Sequence, residues 1–466
     1  MGEEKTQVHL IKINLSKLET SILEFICKRS SSLFNQALYF VKRNHSMTHP
    51  GNLPNVPYEE IAGSLKDEWN YMMLYSQVPQ QTLKSVAEAF KGYKALIQLW
   101  REGGLKDEPR QPHFRKKGGL YPCTYPSQAL TFDLEQPFVR IPLGLGFAEL
   151  EGIKELFIPA PTSLKPEQIV ELSIVPRNRC FYAAYTYKTI PPKLAIELDK
   201  SKALGIDHGR DNWLTCVSNT GDSFIVDGRH LKSINQWYNK RIATIKEGKP
   251  QGFWSNLLSA ITEKRNRQMR DAVNKAARIV VNRCLEQGIE TIVFGWNEGQ
   301  KQRSDMGRKS NQSFVQIPTA KLKDRIKQLC DFYGIQFVET EEANTSVASF
   351  FDSEAVASTR ASGDSLPKHG EKPVGWEASG RRVKRGLYRT GAKNWYINAD
   401  ANASANILRK VSAMLGLDLG GVCRRQLTAL ARLTFWHDSS KNPLQSVTRL
   451  KESPHMNGRG VVNSSV

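Results

Sequence analysis

Cysteine is scarce in this chain, and the few cysteines are scattered. Only seven of the 466 residues are cysteines, and no two of them form a CxxC pair. This spacing excludes the disulfide framework of small secreted domains and gives no support to a cysteine-rich zinc site. It is typical of a reducing compartment, so we expect a cytoplasmic protein.

Long hydrophobic runs are also absent. No apolar stretch approaches the ~20 residues that a membrane-spanning helix needs. The opening residues, MGEEKTQVHL, do not have the pattern of a signal peptide. The sequence therefore predicts no membrane partner.

Negative charge is in deficit. Lys and Arg number 66 against 46 Asp and Glu, which gives a formal net charge of +20. The excess is spread along the chain, which favours a nucleic-acid partner over the alternative of a merely solvated basic surface. With 40% hydrophobic residues the chain can bury real cores, and its length predicts two to four domains.

The first 195 residues change from strand to helix patterns and back. The alternating run VHLIKINL predicts a strand, two amphipathic stretches predict helices, and short apolar runs between turn residues predict strands again. The simplest arrangement is a β-barrel domain of residues 1–16 and 121–195, interrupted by a helical domain of residues 17–120.

The remainder has the element order strand, strand, long helix, strand, helix, strand, insert, helix. This order predicts an RNase H-like (RuvC-type) α/β domain in two parts, residues 196–346 and 394–412, around an insert of residues 347–393. The basic tail, residues 413–466, loses periodicity, and the sequence leaves open whether it folds. The predicted fold class is therefore α/β plus β-barrel.

Three carboxylates, Asp207, Glu342 and Asp400, each follow a short apolar run. Three such carboxylates brought together make a site for Mg²⁺, and two ions ~4 Å apart are a common device for cutting phosphodiesters. In an RNase H-like sheet Asp207 would lie on the central strand. Asp400 would lie in the first turn of the last helix, where the helix dipole favours negative charge. The alternative for Asp400 is an ordinary helix N-cap.

Several motifs in order, among them LGIDHG, EEANTS and NADANASANILRK, resemble the TnpB family over residues 204–410. TnpB proteins are transposon-encoded, RNA-guided DNA nucleases related to type V CRISPR effectors. The resemblance implies a guide RNA and double-stranded target DNA as partners in the bacterial cytoplasm, with transposition proteins as a further candidate. It also implies a wedge-like role for the barrel, a recognition role for the helical domain, and two Mg²⁺ ions. Asp207 would bridge these ions, and Glu342 and Asp400 would complete one each.

The chain departs from the common family pattern at the second carboxylate. Gly295 stands where the usual Glu would end its strand, and glycine cannot bind a metal. A subset of the family shifts this Glu to the following strand, which here indicates Glu342 in preference to Glu341 or Glu298. The alternative is that the two neighbouring glutamates merely solvate a strand end.

A second departure concerns zinc. Many relatives carry four cysteines in the insert, whereas residues 347–393 contain none and offer only His369 as a zinc ligand. No zinc is predicted.

Clusters of Lys and Arg are the candidate nucleic-acid contacts, although each one alone is typical of a solvated surface. The candidates are Lys264, Arg265, Arg267, Arg270, Arg381, Arg382, Lys384, Arg385, Arg115, Lys116 and Lys117.

Three functions are compatible with these observations. The first is an RNA-guided DNA endonuclease. The second is an RNA-guided DNA-binding protein with a disabled site, which Gly295 and the missing cysteines favour. The third is a guide-free transposase or resolvase, which the long helical and β-rich N-terminal half disfavours. We therefore predict the endonuclease.

Overall fold

The computed structural model describes residues 3–44, 57–133, 135–297, 317–352 and 378–436. The chain divides into two compact units, residues 1–191 and 192–466. The finer domain boundaries given above stay predictions. Glu298 and His369 lie outside the described residues. None of the described helices has the length and apolar character needed to cross a membrane.

Helices form the centre of the first unit. They are α1 (Lys17–Asn44), α2 (Tyr58–Leu65), α3 (Trp69–Met72), α4 (Gln77–Arg101) and α5 (Leu145–Glu151). A capping box starts α1, because Ser16 and Glu19 exchange side-chain to backbone hydrogen bonds of 2.7 and 3.2 Å. Apolar residues at helical spacing give α1 and α4 faces that share one buried core.

Among the described residues, the strands of the first unit do not close into the predicted barrel. They are β1 (Lys5–Lys12), β2 (Cys123–Pro126), β3 (Thr131–Phe132), β4 (Phe138–Pro142), β5 (Glu155–Pro159), β6 (Ile169–Arg177) and β7 (Cys180–Thr189). Among the described residues they make two separate sheets, ordered β1-β7-β6-β2 and β3-β4-β5.

Proline and a short turn explain why the barrel prediction is wrong. Pro126, which has no N–H to donate, is the last residue of β2. A 3₁₀ turn at Ser127–Ala129 then separates β2 from the two-residue β3. The chain therefore leaves the first sheet before closure.

The second unit is built on a six-stranded mixed sheet. The described strands of this unit are β8 (Asp199–His208), β9 (Asn212–Ser218), β10 (Ser223–Asp227), β11 (Ile289–Gly295), β12 (Gln336–Thr340), β13 (Arg381–Lys384), β14 (Leu387–Arg389), β15 (Tyr396–Asn398) and β16 (Ala431–Leu433). The main sheet has the order β12-β11-β8-β9-β10-β16, and β13, β14 and β15 form a separate small sheet.

The order of the main sheet is that of an RNase H-like fold. β8 is central. On one side β9 runs antiparallel to β8, and β10 lies beyond β9 and runs antiparallel to β9. β11 and β12 run parallel to β8 on the other side. The region before Asn219 contains two strands, β8 and β9, joined by the turn at residues 209–211.

Among the described residues, four helices accompany this sheet. They are α6 (Arg229–Lys246), α7 (Asn256–Gln287), α8 (Thr319–Tyr333) and α9 (Ala399–Leu415). Ser255 caps the start of α7 by accepting a hydrogen bond from the backbone of Leu258, and Gly288 ends it with a φ of 66°. The apolar face of α7 packs with α8 and the sheet in one core.

The beginning of the predicted basic tail is folded. Residues 417–436 pack on the second unit, where Leu417, Val422, Leu427 and Phe435 are buried. β16 joins the edge of the main sheet parallel to β10. Residues 437–466 lie outside the described part of the chain.

Candidate functional site

Parallel strands bring two of the predicted carboxylates to one edge of the main sheet. Asp207 is the next-to-last residue of β8, which runs parallel to β11. Gly295 ends β11 and pairs with Thr340, the last residue of β12. Glu342 is the second residue after the end of that strand. The carboxyl ends of three neighbouring parallel strands therefore meet where an open α/β sheet commonly binds its ligands.

Helix α9 brings Asp400 to the same edge. The hydroxyl of Ser404 donates a hydrogen bond to the carbonyl of Gly205 in β8 at 2.8 Å. A Cβ on Gly205 would lie only 2.5 Å from the Ser404 carbonyl oxygen, so glycine permits this close approach. The N-cap of α9 is Asn398, which accepts hydrogen bonds from the backbone of Asp400 and Ala401 at 2.9 and 3.0 Å. The carboxylate of Asp400 is therefore left for other partners.

Burial and neighbouring charges change the pKa values of Asp207 and Glu342. Burial raises the pKa of Asp207 well above its ordinary range, the charges of Glu342 and Asp400 raise it further, and Arg382 partly opposes them. Burial also raises the pKa of Glu342 to about 7, although Lys410 lowers it. A bound divalent cation would favour the ionised forms of such groups.

Gly295 leaves the space that the side chain of Glu342 fills. A Cβ at position 295 would lie 2.9 Å from both Cγ and Oε1 of Glu342 and 2.5 Å from Cδ1 of Ile407. The backbone N–H of Glu342 donates to Oδ1 of the buried Asn297 at 3.0 Å, which holds the chain after β12. The Glu342 side chain therefore lies against the point where the common family pattern has its second carboxylate. The neighbouring Glu341 instead accepts a hydrogen bond on its backbone oxygen, from Lys410 at 2.9 Å.

His208 is a buried member of the site that the sequence analysis did not single out. Its side chain is 4% exposed, and its Nε2 lies 3.4 Å from Oε1 of Glu342. Its ring packs against those of Phe294 and Trp296. The sequence feature that could have identified His208 is its position in the LGIDHG motif, directly after Asp207.

Asp400 has two polar partners. Asn212 donates to Oδ2 of Asp400 at 2.8 Å, and Arg382 donates to its Oδ1 at 3.2 Å. Arg385, from the turn after β13, pairs with the carboxylate of Asp211. Two of the arginines predicted as nucleic-acid contacts therefore form ion pairs with acidic residues close to the site.

The residue types fit the implied Mg²⁺, but their arrangement is not a closed shell. Carboxylate oxygens are the ligands that Mg²⁺ prefers, and Oε1 of Glu342 is buried and accepts no hydrogen bond from the part of the chain that the structure describes. Within the described residues, however, no group of three or more His, Cys, Asp or Glu side chains is arranged to hold a metal ion as it stands. The oxygens of Asp400 are instead engaged by Arg382 and Asn212.

The predicted basic residues of α7 fall into two pairs. Lys264 and Arg267 are exposed. Arg265 donates to Oδ1 of Asn235 at 2.7 and 2.9 Å and is half-buried over the ring of Tyr238. Arg270 pairs at 2.9 Å with Glu263, whose side chain is only 5% exposed. The second pair therefore has structural partners within the chain.

The other predicted basic residues are exposed. Arg381, Arg382, Lys384 and Arg385 lie on β13 and its turn. In the first unit, the guanidinium of Arg115 lies over the rings of Phe34 and Tyr121 at 4.6 and 4.7 Å. Lys116 and Lys117 line a cavity of about 320 Å³ beside α1.

A family comparison covers the first part of the second unit. Residues 186–299 match the OrfB_IS605 family, described as "Probable transposase". This match confirms the resemblance to TnpB. No curated protein matches the sequence.

Solved structures of type V CRISPR effectors resemble the structure of this chain at low identity. A Cas12f1–sgRNA–target DNA complex is 14% identical, with 84% of this chain and 83% of that chain covered and a TM-score of 0.49. The mini-RNA-guided endonuclease CRISPR-Cas_phi3 is 9% identical, with coverages of 91% and 93% and a TM-score of 0.43. CasPhi-2 (Cas12j) bound to crRNA is 10% identical, with coverages of 90% and 99% and a TM-score of 0.36. At these scores the likeness by itself carries no argument on function.

Proposed function

We propose that this chain, which carries the TnpB family match in residues 186–299, is an RNA-guided DNA endonuclease. Asp207, Glu342 and Asp400 would hold Mg²⁺ for phosphodiester hydrolysis. The observation that carries the proposal is the convergence of these carboxylates, in which Asp207 has its pKa raised by burial and by the charges of the other two. Burying like charges opposes folding, and strongly perturbed carboxyl groups cluster at functional sites.

The residues of the chain have distinct parts in this proposal. Two Mg²⁺ ions, when bound, would supply an activated water and stabilise the leaving oxygen. Asp207, whose pKa is raised by the charges of the other two carboxylates, would hold the ions together with Glu342 and Asp400. The sheet edge supports Asp207 and Glu342, and the helix–strand contact at Gly205 supports Asp400. The reaction therefore needs no Lys or His as general base.

Selection of the target would rest on base pairing between a guide RNA and one DNA strand. The protein would bind the heteroduplex through its shape and phosphates, and it would read a short flanking motif. Exposed cations such as Lys264 and Arg267 are suited to phosphate contacts. Transposition proteins as partners, and the absence of zinc, stay predictions.

A catalytically disabled RNA-guided DNA-binding protein is the second candidate. One observation favours it: the guanidinium of Arg382 lies 3.2 Å from Oδ1 of Asp400 and supplies a positive charge there without a metal. If that ion pair persists on DNA, the site would bind no second ion.

Plasmid cleavage with Mg²⁺ separates the two candidates. The protein is co-expressed with RNA from its own locus and compared with the variants Asp207→Asn, Glu342→Gln and Glu341→Gln. The first two are expected to lose cleavage by roughly a thousandfold, because a metal ligand supplies several kcal/mol of transition-state stabilisation. Glu341→Gln is the matched control and is expected to cut at about the wild-type rate.

Two results would decide against parts of the proposal. Guide-dependent binding by the wild type without cutting at any Mg²⁺ concentration supports the disabled protein. Loss of cleavage in Glu341→Gln, with Glu342→Gln active, assigns the second carboxylate to the wrong residue.

A further inference from the structure

Asn212, at the start of β9, connects Asp400 to an arginine from the C-terminal segment. Its Nδ2 donates to Oδ2 of Asp400 at 2.8 Å. Its Oδ1 accepts from Nη2 of Arg432 at 2.8 Å. A single side-chain amide thus joins a candidate metal ligand on helix α9 to strand β16, at the far edge of the sheet from β12.

The hydrogen-bonding capacities of Asp400 and Arg432 determine which kind of group can connect them. A guanidinium only donates hydrogen bonds, and an ionised carboxylate only accepts them. The connecting group must therefore accept on one side and donate on the other, as the amide of Asn212 does. It holds one oxygen of Asp400 without adding a charge to the site.

Arg432 is itself held in place. Its Nη1 lies 3.4 Å from Oδ2 of Asp227, whose side chain is 6% exposed. Burial raises the pKa of Asp227, but hydrogen bonds from Arg229 and the charge of Arg432 outweigh it, so this pKa lies below its ordinary value. Asp227 is therefore an ionised anchor for Arg432.

The C-terminal segment is anchored on the same side of the sheet. Arg432 pairs with Ile225 in the parallel contact between β16 and β10. The side chain of Gln426 donates to the backbone oxygens of Ser218 and Asp222 at 2.6 and 2.8 Å. The hydroxyl of Ser223 donates to the backbone oxygen of Gln426 at 2.7 Å. These contacts fix the strand that carries Arg432.

We propose that Asn212 and Arg432 are positioning residues for the metal site and that strand β16 is part of the nuclease centre. The inference rests on the proposed function, because it takes Asp400 as a metal ligand. Asn212 restrains one oxygen of Asp400, and Arg432 orients the Asn212 amide. Partners of this kind, which orient a ligand without touching the metal, commonly change metal affinity by 10–100-fold when removed.

The test measures Mn²⁺ binding to the full-length metal-free protein by calorimetry, alongside cleavage at varied Mg²⁺. The decisive variant is Asn212→Ala, since it cuts the connection and leaves the Arg432–Asp227 pair and β16 intact. Arg432→Ala is the second variant. Arg425→Ala is the matched control, because Arg425 is an exposed arginine of the same segment.

Asn212→Ala and Arg432→Ala are each expected to weaken Mn²⁺ binding by at least ~10-fold. The Mg²⁺ concentration for half-maximal cleavage should rise by a similar factor, with the rate at saturating Mg²⁺ within about threefold of wild type. The double variant should be no weaker than the worse single variant, because both residues act through one connection. Arg425→Ala should bind Mn²⁺ as the wild type does.

The outcomes separate the inference from the proposed function. A wild type that binds Mn²⁺ and cuts DNA, with Asn212→Ala unchanged in both, overturns the inference alone. A wild type without Mn²⁺ binding or cleavage overturns the proposed function and this inference with it. If Arg432→Ala does not fold, the Mn²⁺ affinity of the folded Asn212→Ala variant decides. A weakened affinity supports the inference, and an unchanged affinity overturns it.

Discussion

The charged groups of the second unit belong to two regions with opposite character. At the sheet edge, acidic side chains are enclosed, and Asp207 and Glu342 have raised pKa values because of burial. On α7 and β13, basic side chains such as Lys264 and Arg381 lie exposed to solvent. Enclosing an unpaired carboxylate opposes folding, whereas an exposed lysine or arginine is tolerated almost anywhere. The acidic region is therefore specific evidence for a site, and the basic region is only collective evidence for a polyanion.

The largest effect is expected from replacing the central buried carboxyl group, that of Asp207. Asp207→Asn should lose cleavage by roughly a thousandfold while the metal-free protein becomes more stable, since a neutral amide replaces a group that burial keeps from ionising. Cleavage assays and thermal unfolding without metal check the two parts. A variant that loses stability as well as activity would indicate that Asp207 has a structural role, and the contrast between the two regions would then be weaker.

Moving the second carboxylate from position 342 to position 295 tests the assignment of the acidic region. Gly295→Glu alone should destabilise the protein by about 1–3 kcal/mol, because its Cβ would meet Glu342 and Ile407 in a packed site. In the double variant Gly295→Glu/Glu342→Ala the new carboxylate can take the vacated space. We expect at least ~10-fold recovery of cleavage over Glu342→Ala.

Its control is Gly295→Ala/Glu342→Ala, which fills the same space without a carboxylate and should recover nothing. Equal recovery in both double variants would mean that packing, not the carboxylate, is what position 295 supplies.

The four residues of α7 that were predicted as nucleic-acid contacts test the other region. Lys264→Ala and Arg267→Ala should leave stability unchanged and each reduce the slope of log K against log salt by ~0.9 per phosphate contact on duplex DNA. Arg270→Ala should instead lower stability by about 1–3 kcal/mol, because the 5%-exposed Glu263 loses the ion pair. Binding titrations at several salt concentrations and thermal unfolding distinguish the pairs, and four identical salt responses would contradict the division.

The smallest expected effect concerns the pH dependence of the stability of the metal-free protein. The pKa of Glu342 rises from an ordinary 4.5 to about 7 on folding. Between these values the folded state binds more protons than the unfolded state, so this group stabilises the metal-free protein at low pH and the stabilisation disappears as pH rises through about 7. Unfolding at pH 5.5 and 7.5 measures the difference, and Glu342→Gln should reduce it. Mg²⁺ should stabilise the protein more at pH 7.5, where the carboxylates are ionised.

Local patterns predicted much of the second unit. The buried runs ALGI and TIVFG and the amphipathic pattern of α7 indicated its core elements, because burial on a parallel sheet requires continuous apolar strands. The barrel of the first unit was predicted wrongly, since strand patterns specify local conformation but not which edges meet. The turn at residues 209–211, which divides β8 from β9, was not among the predicted turns.

Residue type and spacing alone were enough to show that three carboxylates follow apolar elements in an order that resembles a known family. The packing of strands and helices decided that Gly295 gives Glu342 its space and that Asn398, not Asp400, caps the last helix. It also decided that Arg432, 220 residues from Asn212 in sequence, reaches Asp400 through that amide. Contacts between residues so far apart depend on how strands and helices pack, and no local pattern encodes them.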